Sequence, residues 1–221
     1  MAERRYHDAC AAAHALDLLG ERWALLVVRE LMTGPKRFTD LRAGLPGISA
    51  NVLTQRLAGL EAHGIVARRQ LPPPAAVQVY ELTPWGYEAE PIFRALGRWA
   101  ARSPHHDPTA PFSAASFMLS LRTMADPGRA GGRRLSVGFV IGHERLRATL
   151  STEGFTCAPD ALESADVVAT GPAEALAALI YAGVAPERLE AEGAIAVTGE
   201  RGVLDAFARC FPLPDKAPVA T

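Results

Sequence analysis

A proline-rich break constrains this sequence more than any other feature. The segment SPHHDPTAPFS at 103–113 contains three prolines and two histidines and has no apolar periodicity. Such a composition is typical of a linker or an extended connector. A chain of 221 residues is long enough for two domains of ordinary size. We therefore predict a first domain at 1–102, a linker at 103–113, a second domain at 114–214 and a tail at 215–221.

The composition indicates a globular protein with a core rather than a membrane protein. Apolar residues make up 49% of the chain and charged residues 21%. No apolar run approaches the roughly 18 residues that a membrane span needs, and MAERRYHDAC does not have the basic-then-apolar order of a secretory signal. The three cysteines, Cys10, Cys157 and Cys210, are too widely spaced to indicate a disulfide framework or a zinc site. We expect free thiols and a cytoplasmic location.

The two parts differ in charge. Residues 1–102 contain 13 lysines and arginines against 10 acids, whereas residues 103–221 contain 10 against 14. Within 36–69 there are six basic residues and two acidic ones. This asymmetry predicts a local basic surface on the first domain and an acidic or neutral second domain, although the net charge of −1 does not by itself indicate a nucleic-acid-binding protein.

The spacing of apolar residues, together with the capping, glycine and proline residues between them, predicts the order of elements in the first domain. The expected elements are helices at 9–19, 22–32 and 38–43, a helix from Ser49 to Gly64, strands at 65–71 and 77–83 joined by PPPAA, and a helix at 84–101. Ser49 is a typical N-cap, and Ile48 before it would pack on Leu53 as a hydrophobic staple. This order is that of a winged helix-turn-helix.

The helix that begins at Ser49 has the chemistry of a recognition helix. Leu53, Leu57 and Leu60 form an apolar stripe, and the polar residues beside it are the types that read DNA. Asparagine and glutamine recognise adenine edges, arginine reaches phosphate or guanine, and a helix N-terminus suits a phosphate. A polar face opposite a leucine stripe is also what any solvated helix shows. The predicted DNA contacts are Arg37, Thr39, Ser49, Asn51, Thr54, Gln55, Arg56, Arg68, Arg69 and Gln78.

Three stretches of the first domain resemble the HxlR family of winged-helix regulators, relatives of the MarR group. They are CAAAHALDLLGERWALLVVRELMTGPKRF, TDLRAGLPGISANVLTQRLAGLEAHGIVARR and VYELTPWG. The resemblance implies a homodimer built on the terminal helices, with two recognition helices on a palindrome-like operator. The wing sequence LPPPAAVQVYELT is less basic than many family wings. Cys10 lies where some members place a redox-sensing cysteine; the alternative is an inert thiol among small apolar residues, with Arg4 and Arg5 nearby in sequence.

Strands followed by helices predict an α+β layer domain in the second part. A hairpin is expected at 135–151 around Gly142-His143-Glu144, followed by strands in FTCAP and ADVVATG. Helices at 172–183, with Pro172 at the first position, and 186–193 come next. A strand-like run, AIAVTG, and a closing helix at 201–211 complete the order.

The stretches PDALESADVVATGPAEALAALIYAGV and LEAEGAIAVTGERGVLDAFARCFPLP resemble the sterol-carrier-protein-like domains of some HxlR relatives. The resemblance implies an apolar cavity for a small-molecule effector, with Tyr181 and Arg122 as polar contacts. The same apolar residues would equally serve as an ordinary core, in a domain that only dimerises. The predicted lining is Phe117, Leu121, Phe139, Ile141, Phe155, Leu179, Ile180, Phe207 and Phe211.

Motifs of catalysis are missing from the sequence. It contains no P-loop, GxGxxG opening a helix, GxSxG or HExxH. His105-His106-Asp107 lies in the connector, where adjacent ligands rarely complete a tetrahedral site. We therefore expect no enzyme, metal or cofactor, and predict a ligand-responsive DNA-binding regulator. The alternatives are a hydrophobic-ligand carrier with a vestigial DNA-binding module and an enzyme built on the second domain.

Overall fold

A computed structural model describes residues 6–108, 110–159 and 162–218. The chain divides into two compact units, the first ending at Phe93 and the second beginning at Arg94. This division falls inside the helix Glu90–Ala101, ahead of the proline-rich connector. The predicted domain limits at 102 and 114 stay a prediction. No helix of the described residues is long and apolar enough to cross a membrane.

The first unit has the order of elements that the sequence predicts. Its elements are α1 (Ala11–Leu19), α2 (Ala24–Leu31), α3 (Phe38–Ala43), α4 (Ala50–Ala62), β1 (Val66–Gln70), β2 (Gln78–Leu82), α5 (Pro84–Tyr87) and the start of α6 (Glu90–Ala101). The predicted continuous helix at 84–101 is wrong, because the chain forms two helices there. The N–H groups of Glu88 and Ala89 bond three residues back, to Trp85 and Gly86, and this interrupts the α-helical pattern.

The core of the first unit is built from apolar stripes on its helices and from the hairpin. The strands pair antiparallel from Val66 opposite Leu82 to Gln70 opposite Gln78. Ile48 and Leu53 are both buried in this core, as the staple requires. The larger buried members are Val27, Val28, Leu31, Leu41, Leu45, Leu53, Leu57, Leu60, Ile65, Val66, Tyr80 and Leu82.

The second unit contains the rest of α6 and an α+β layer. Its further elements are α7 (Ala114–Met124), β3 (Leu135–Ile141), β4 (Glu144–Ser151), β5 (Gly154–Pro159), β6 (Val167–Thr170), α8 (Ala173–Tyr181), α9 (Pro186–Ala191), β7 (Ala196–Gly199) and α10 (Arg201–Ala208). Helix α7 is absent from the sequence-based prediction. Pro172 is the N-cap of α8 rather than its first residue.

The five strands form one mixed sheet in the order β5-β4-β3-β6-β7. Strands β3, β4 and β5 are antiparallel neighbours, β6 runs parallel to β3, and β7 is antiparallel to β6. Alternate residues of β3, namely Leu135, Val137 and Phe139, belong to the same core as residues of α7, α8 and α10. On the opposite face of β3, the Leu162 side chain packs close to Gly138. A Cβ added at Gly138 would lie 2.8 Å from that side chain.

Candidate DNA-binding surface

Helix α4 buries its apolar stripe in the core and exposes a narrow strip of small and polar residues on the other side. Leu53, Leu57 and Leu60 are buried in the first-unit core. The opposite side carries small or polar side chains without a bulky group, and this suits a helix that enters a major groove about 12 Å wide. The exposed residues, called the α4 strip below, are Asn51, Thr54, Gln55, Ala58 and Ala62.

The N-terminus of α4 is capped as the sequence predicts. The Ser49 Oγ accepts a hydrogen bond from the Val52 N–H at 3.3 Å, and Ser49 itself is exposed. The Thr54 hydroxyl donates to the Ala50 carbonyl at 2.9 Å, which leaves it the capacity to accept another bond. The remaining N–H groups of the first turn are available to an anion.

Helix α3 and the turn that follows it lead directly into α4. Leu41 of α3 is buried, whereas Arg37, the α3 N-cap, and Thr39 are exposed. The turn between the helices contains Gly47 at φ 90°, a left-handed conformation that glycine adopts without steric cost. Arg37 and Thr39 are therefore free of the core and accessible to a phosphate backbone.

The wing arginines are exposed, but each is paired within the unit. Arg68 Nη2 lies 3.0 Å from Glu61 Oε2, and the guanidinium lies 5.4 Å from the centre of the Tyr80 ring. Hydrogen bonding to Glu61 raises the pKa of Arg68. Arg69 Nη2 lies 2.8 Å from Glu81 Oε2. Contact with DNA would require these arginines to share or exchange their carboxylate partners.

Gln78 is exposed at the end of β2 and lies opposite Gln70 of β1. The hairpin is extended on one side by Lys36, whose N–H donates to the Tyr80 carbonyl at 2.9 Å and whose carbonyl accepts from the Tyr80 N–H at 2.8 Å. This contact anchors the wing to the segment that precedes α3. The periodicity of the sequence does not predict this contact, because Lys36 and Tyr80 are more than forty positions apart.

Arg56 is placed differently from the other predicted DNA contacts. It lies off the α4 strip, with 23% of its side chain exposed. Its Nε donates to the Arg22 carbonyl at 3.0 Å, and its Nη2 lies 2.9 Å from Glu21 Oε2. The structure therefore holds Arg56 at the turn between α1 and α2, through contacts between residues too distant in sequence for a local pattern to predict.

Cys10 lies at the N-cap of α1 and is exposed. The backbone N–H groups of Ala13 and Ala12, at the start of α1, lower the pKa of its thiol. Arg4 and Arg5, its neighbours in sequence, lie outside the described residues. The other two thiols are less available, because burial raises the pKa of Cys157 to about 12 and also raises that of Cys210.

The predicted ligand-lining residues of the second unit belong to one packed core. Seven of them are buried, and Ile141 and Phe155 pack partly buried against the others. Phe139 lies 5.0 Å from Phe117 and 6.1 Å from Phe207, measured between ring centres, and Phe207 lies 4.6 Å from Phe211. These rings fill the space between β3, α7 and α10. The lining role stays a prediction.

Two polar residues of the second unit are also involved in internal contacts. The Tyr181 hydroxyl lies 2.7 Å from the Ser120 hydroxyl, and burial strongly raises the pKa of Tyr181. Arg122 donates to the Cys157 carbonyl at 3.4 Å. An open groove of about 600 Å³ lies elsewhere on this unit and contains none of the predicted lining residues. It is lined by Ala95, Arg98, Trp99, Arg102, Pro214 and Asp215.

Within residues 6–108, 110–159 and 162–218, no three histidine, cysteine, aspartate or glutamate side chains are grouped as metal ligands would be. His105, His106 and Asp107 lie in the irregular connector after α6. Among the described residues, the best-formed candidate site is therefore the DNA-binding surface of the first unit. A short helix, a capped helix with an exposed polar strip and a two-stranded wing define a winged helix-turn-helix domain.

Comparison with known proteins gives the family. The model of the HxlR-like helix-turn-helix family matches residues 18–107. The HTH-type transcriptional regulator YvaP of Bacillus subtilis (strain 168), itself uncharacterized, is 38% identical over 86 residues, which are 39% of this chain and 80% of YvaP. YodB of the same organism, an HTH-type transcriptional regulator, is 40% identical over 86 residues, 39% of this chain and 77% of YodB. The solved reduced form of YodB has 35% identity and a TM-score of 0.40 and covers 45% of this chain and 100% of that one.

The chain belongs to the HxlR family and is a DNA-binding transcriptional regulator of that type. The family match ends at residue 107, so most of the second unit lies outside it. The likeness of that unit to sterol-carrier domains stays a prediction from sequence.

Proposed function

We propose that the protein is a homodimeric regulator that reads a palindrome-like operator with the α4 strip and responds to an apolar small molecule held in its second unit. The observation that carries the DNA-binding part is the α4 strip itself. Asn51 and Gln55 lie one turn apart on the exposed side of a helix whose other side is fixed in the core. This spacing supports the assignment of both amides to adenine edges along one groove.

The other predicted contacts surround the α4 strip on the first unit. Ser49 and the free N–H groups of α4 are assigned to a phosphate, and Thr54 to a base edge or the neighbouring backbone. Arg37 and Thr39 at the start of α3 are assigned to phosphate on one side. The wing residues Arg68, Arg69 and Gln78 are assigned to the flanking backbone, which makes affinity dependent on salt.

We predict that Asn51→Ala and Gln55→Ala each weaken operator binding by about 1–3 kcal/mol and relax the choice of base at one position. The reason is the loss of hydrogen bonds to base edges, while phosphate contacts are unaffected. Fluorescence anisotropy against matched operator variants measures both effects. Thr152→Ala, on an exposed turn of the second unit, is the control. Unchanged affinity and unchanged base preference in both variants would contradict the assignment.

The proposed dimer is supported by apolar side chains that α6 leaves in solvent. Ile92, Leu96 and Trp99 are spaced at i, i+4 and i+7, and their exposed fractions are 47%, 44% and 75%. Leu16 of α1 is 51% exposed. Large apolar side chains left exposed at helical spacing are typical of a protein interface. The terminal helices are also where the family resemblance places the interface.

The proposed effector response is a population shift. A ligand in the second unit would change operator affinity only through its different affinity for the binding and non-binding arrangements of the dimer. The support is the layer architecture, in which a sheet and helices on one face enclose an apolar interior. The dense aromatic packing of that interior favours the alternative that the unit serves assembly.

The environment of Cys10 favours a second candidate function, a response to oxidants or electrophiles. We expect Cys10 to react with iodoacetamide faster than Cys157 or Cys210, and at a lower pH than an ordinary thiol, because the thiolate is the reacting form. Mass spectrometry after timed alkylation between pH 6 and 9 measures the three rates, and Cys157 is the internal control. We also expect oxidant to alter operator affinity in the wild type and not in Cys10→Ser. Equal alkylation rates at the three sites would contradict the proposal.

A further inference from the structure

Arg56 makes two contacts that hold it against the turn between α1 and α2. Its Nε bonds the Arg22 carbonyl at 3.0 Å, and its Nη2 pairs with Glu21 at 2.9 Å. These contacts join positions 34 residues apart. A guanidinium that uses two of its N–H groups in this way is fixed in orientation.

The turn that Arg56 contacts has an unusual backbone. Trp23 is the N-cap of α2 and has φ 78°, in the left-handed region that a bulky residue rarely adopts. Such a conformation persists only where surrounding contacts enforce it. The Arg22 guanidinium lies 5.5 Å from the centre of the Trp23 ring. Arg56, acting on the Arg22 carbonyl, is one of the groups that hold this turn.

Trp23 also lies close to the segment that precedes α4. Its ring lies beside Gly47, where an added Cβ would be 3.9 Å from the ring edge. Gly47 is two residues before the Ser49 cap of α4. The α1–α2 turn therefore contacts the segment just before α4 through Trp23 and the middle of α4 through Arg56.

We propose that Arg56 is a positioning residue: with Glu21 and the Arg22 carbonyl it sets the placement of the α4 strip on DNA, and it does not itself bind phosphate or a base. This inference rests on the proposed reading of DNA by α4. It replaces the direct DNA contact that the sequence suggested for Arg56. It also assigns a DNA-binding role to Glu21, an acidic residue that no DNA-contact pattern selects.

The two roles of Arg56 predict opposite results for Glu21. If Arg56 binds phosphate, Glu21 competes for it, so Glu21→Gln releases the arginine and removes a negative charge near DNA. Binding would then stay the same or become tighter. If Arg56 is a positioning residue, Glu21→Gln loosens the contact between the turn and α4 and weakens binding, against the direction that the change in charge predicts.

The salt dependence separates the roles independently. Each phosphate contact that is lost lowers the slope of log affinity against log salt by about 1. A positioning residue changes affinity without changing that slope. Arg69→Gln is the matched control, because Arg69 is also an arginine paired to a glutamate in the first unit but is assigned to phosphate.

The experiment titrates the full-length protein by fluorescence anisotropy at four salt concentrations with a duplex that the wild type binds selectively. We expect Glu21→Gln and Arg56→Gln each to weaken binding on the order of tenfold with the wild-type slope, and the double variant to be no weaker than either. Arg56→Lys should not restore affinity, since an ammonium cannot reproduce the fork. Arg69→Gln should lower the slope.

Wild-type or tighter binding by Glu21→Gln, or a slope lowered by about 1 in Arg56→Gln, would overturn the inference. The fraction of active protein, measured by stoichiometric titration, separates loss of affinity from loss of fold, and Arg56→Lys serves where Arg56→Gln does not fold. If the wild type binds no duplex selectively, the proposed function fails. If Asn51→Ala weakens binding and Glu21→Gln does not, only the positioning role fails.

Discussion

Phe207→Ala should destabilise the second unit by about 3–5 kcal/mol. Phe207 is fully buried on α10, and its ring lies 6.1 Å from Phe139 and 4.6 Å from Phe211. Removal of the ring leaves a cavity in a core that has little freedom to collapse. Urea denaturation followed by hydrogen exchange of second-unit peptides measures the loss in free energy of unfolding and assigns it to this unit.

The control for this prediction is Leu213→Ala, since Leu213 is 53% exposed and should cost little. The result also bears on the effector hypothesis. A residue that lines an empty ligand cavity has fewer packing partners and costs less to truncate. A loss below about 1 kcal/mol at Phe207 would contradict the packed core and favour the cavity instead.

Glu30→Ala should destabilise the first unit by about 3–5 kcal/mol. Glu30 is completely buried on α2, and its carboxylate lies 2.9 Å from Arg29 Nη2 and 3.7 Å from Lys36 Nζ. Both cations are themselves largely buried, with side chains 21% and 10% exposed. Removal of the carboxylate leaves two poorly solvated positive charges without this partner.

Denaturation monitored by hydrogen exchange in α2 and β2 measures this loss, and Glu88→Ala, at an exposed glutamate, is the matched control. Because Lys36 also pairs with Tyr80 through its backbone, we expect protection of the wing to fall together with that of α2. A loss no larger than that of Glu88→Ala would show that the buried carboxylate is dispensable.

Local signals were sufficient to predict most elements of the first unit. The leucine stripe of α4, the Ser49 cap and the glycine breaks act within one or two helical turns, so a pattern in the sequence reports them directly. Helix α7 shows where such patterns fail. Nine of its eleven residues are buried, and these include Ser116 and Thr123, so its polar residues do not mark a solvent-facing side. Its one local signal is Ser113, whose hydroxyl accepts from the Ser116 N–H at 3.0 Å.

The candidate site was predictable in residue type but not in pairing. Asn51 and Gln55 are exposed on α4 as their position beside the stripe predicts. The contacts of Arg56 with Glu21 and of Arg69 with Glu81 join residues distant in sequence, and only the fold brings them together. For the same reason, the apolar spacing of the second unit could not distinguish core from cavity lining.

The most direct test of the account is an anisotropy titration of the full-length protein against DNA from the region upstream of its own gene, with scrambled DNA of the same length and at two salt concentrations. We predict binding to the native duplex that is roughly a thousandfold tighter than to the scrambled one, with two chains per operator and affinity that falls steeply with salt. Equal and weak binding of a folded protein to both duplexes would contradict the account and favour a hydrophobic-ligand carrier.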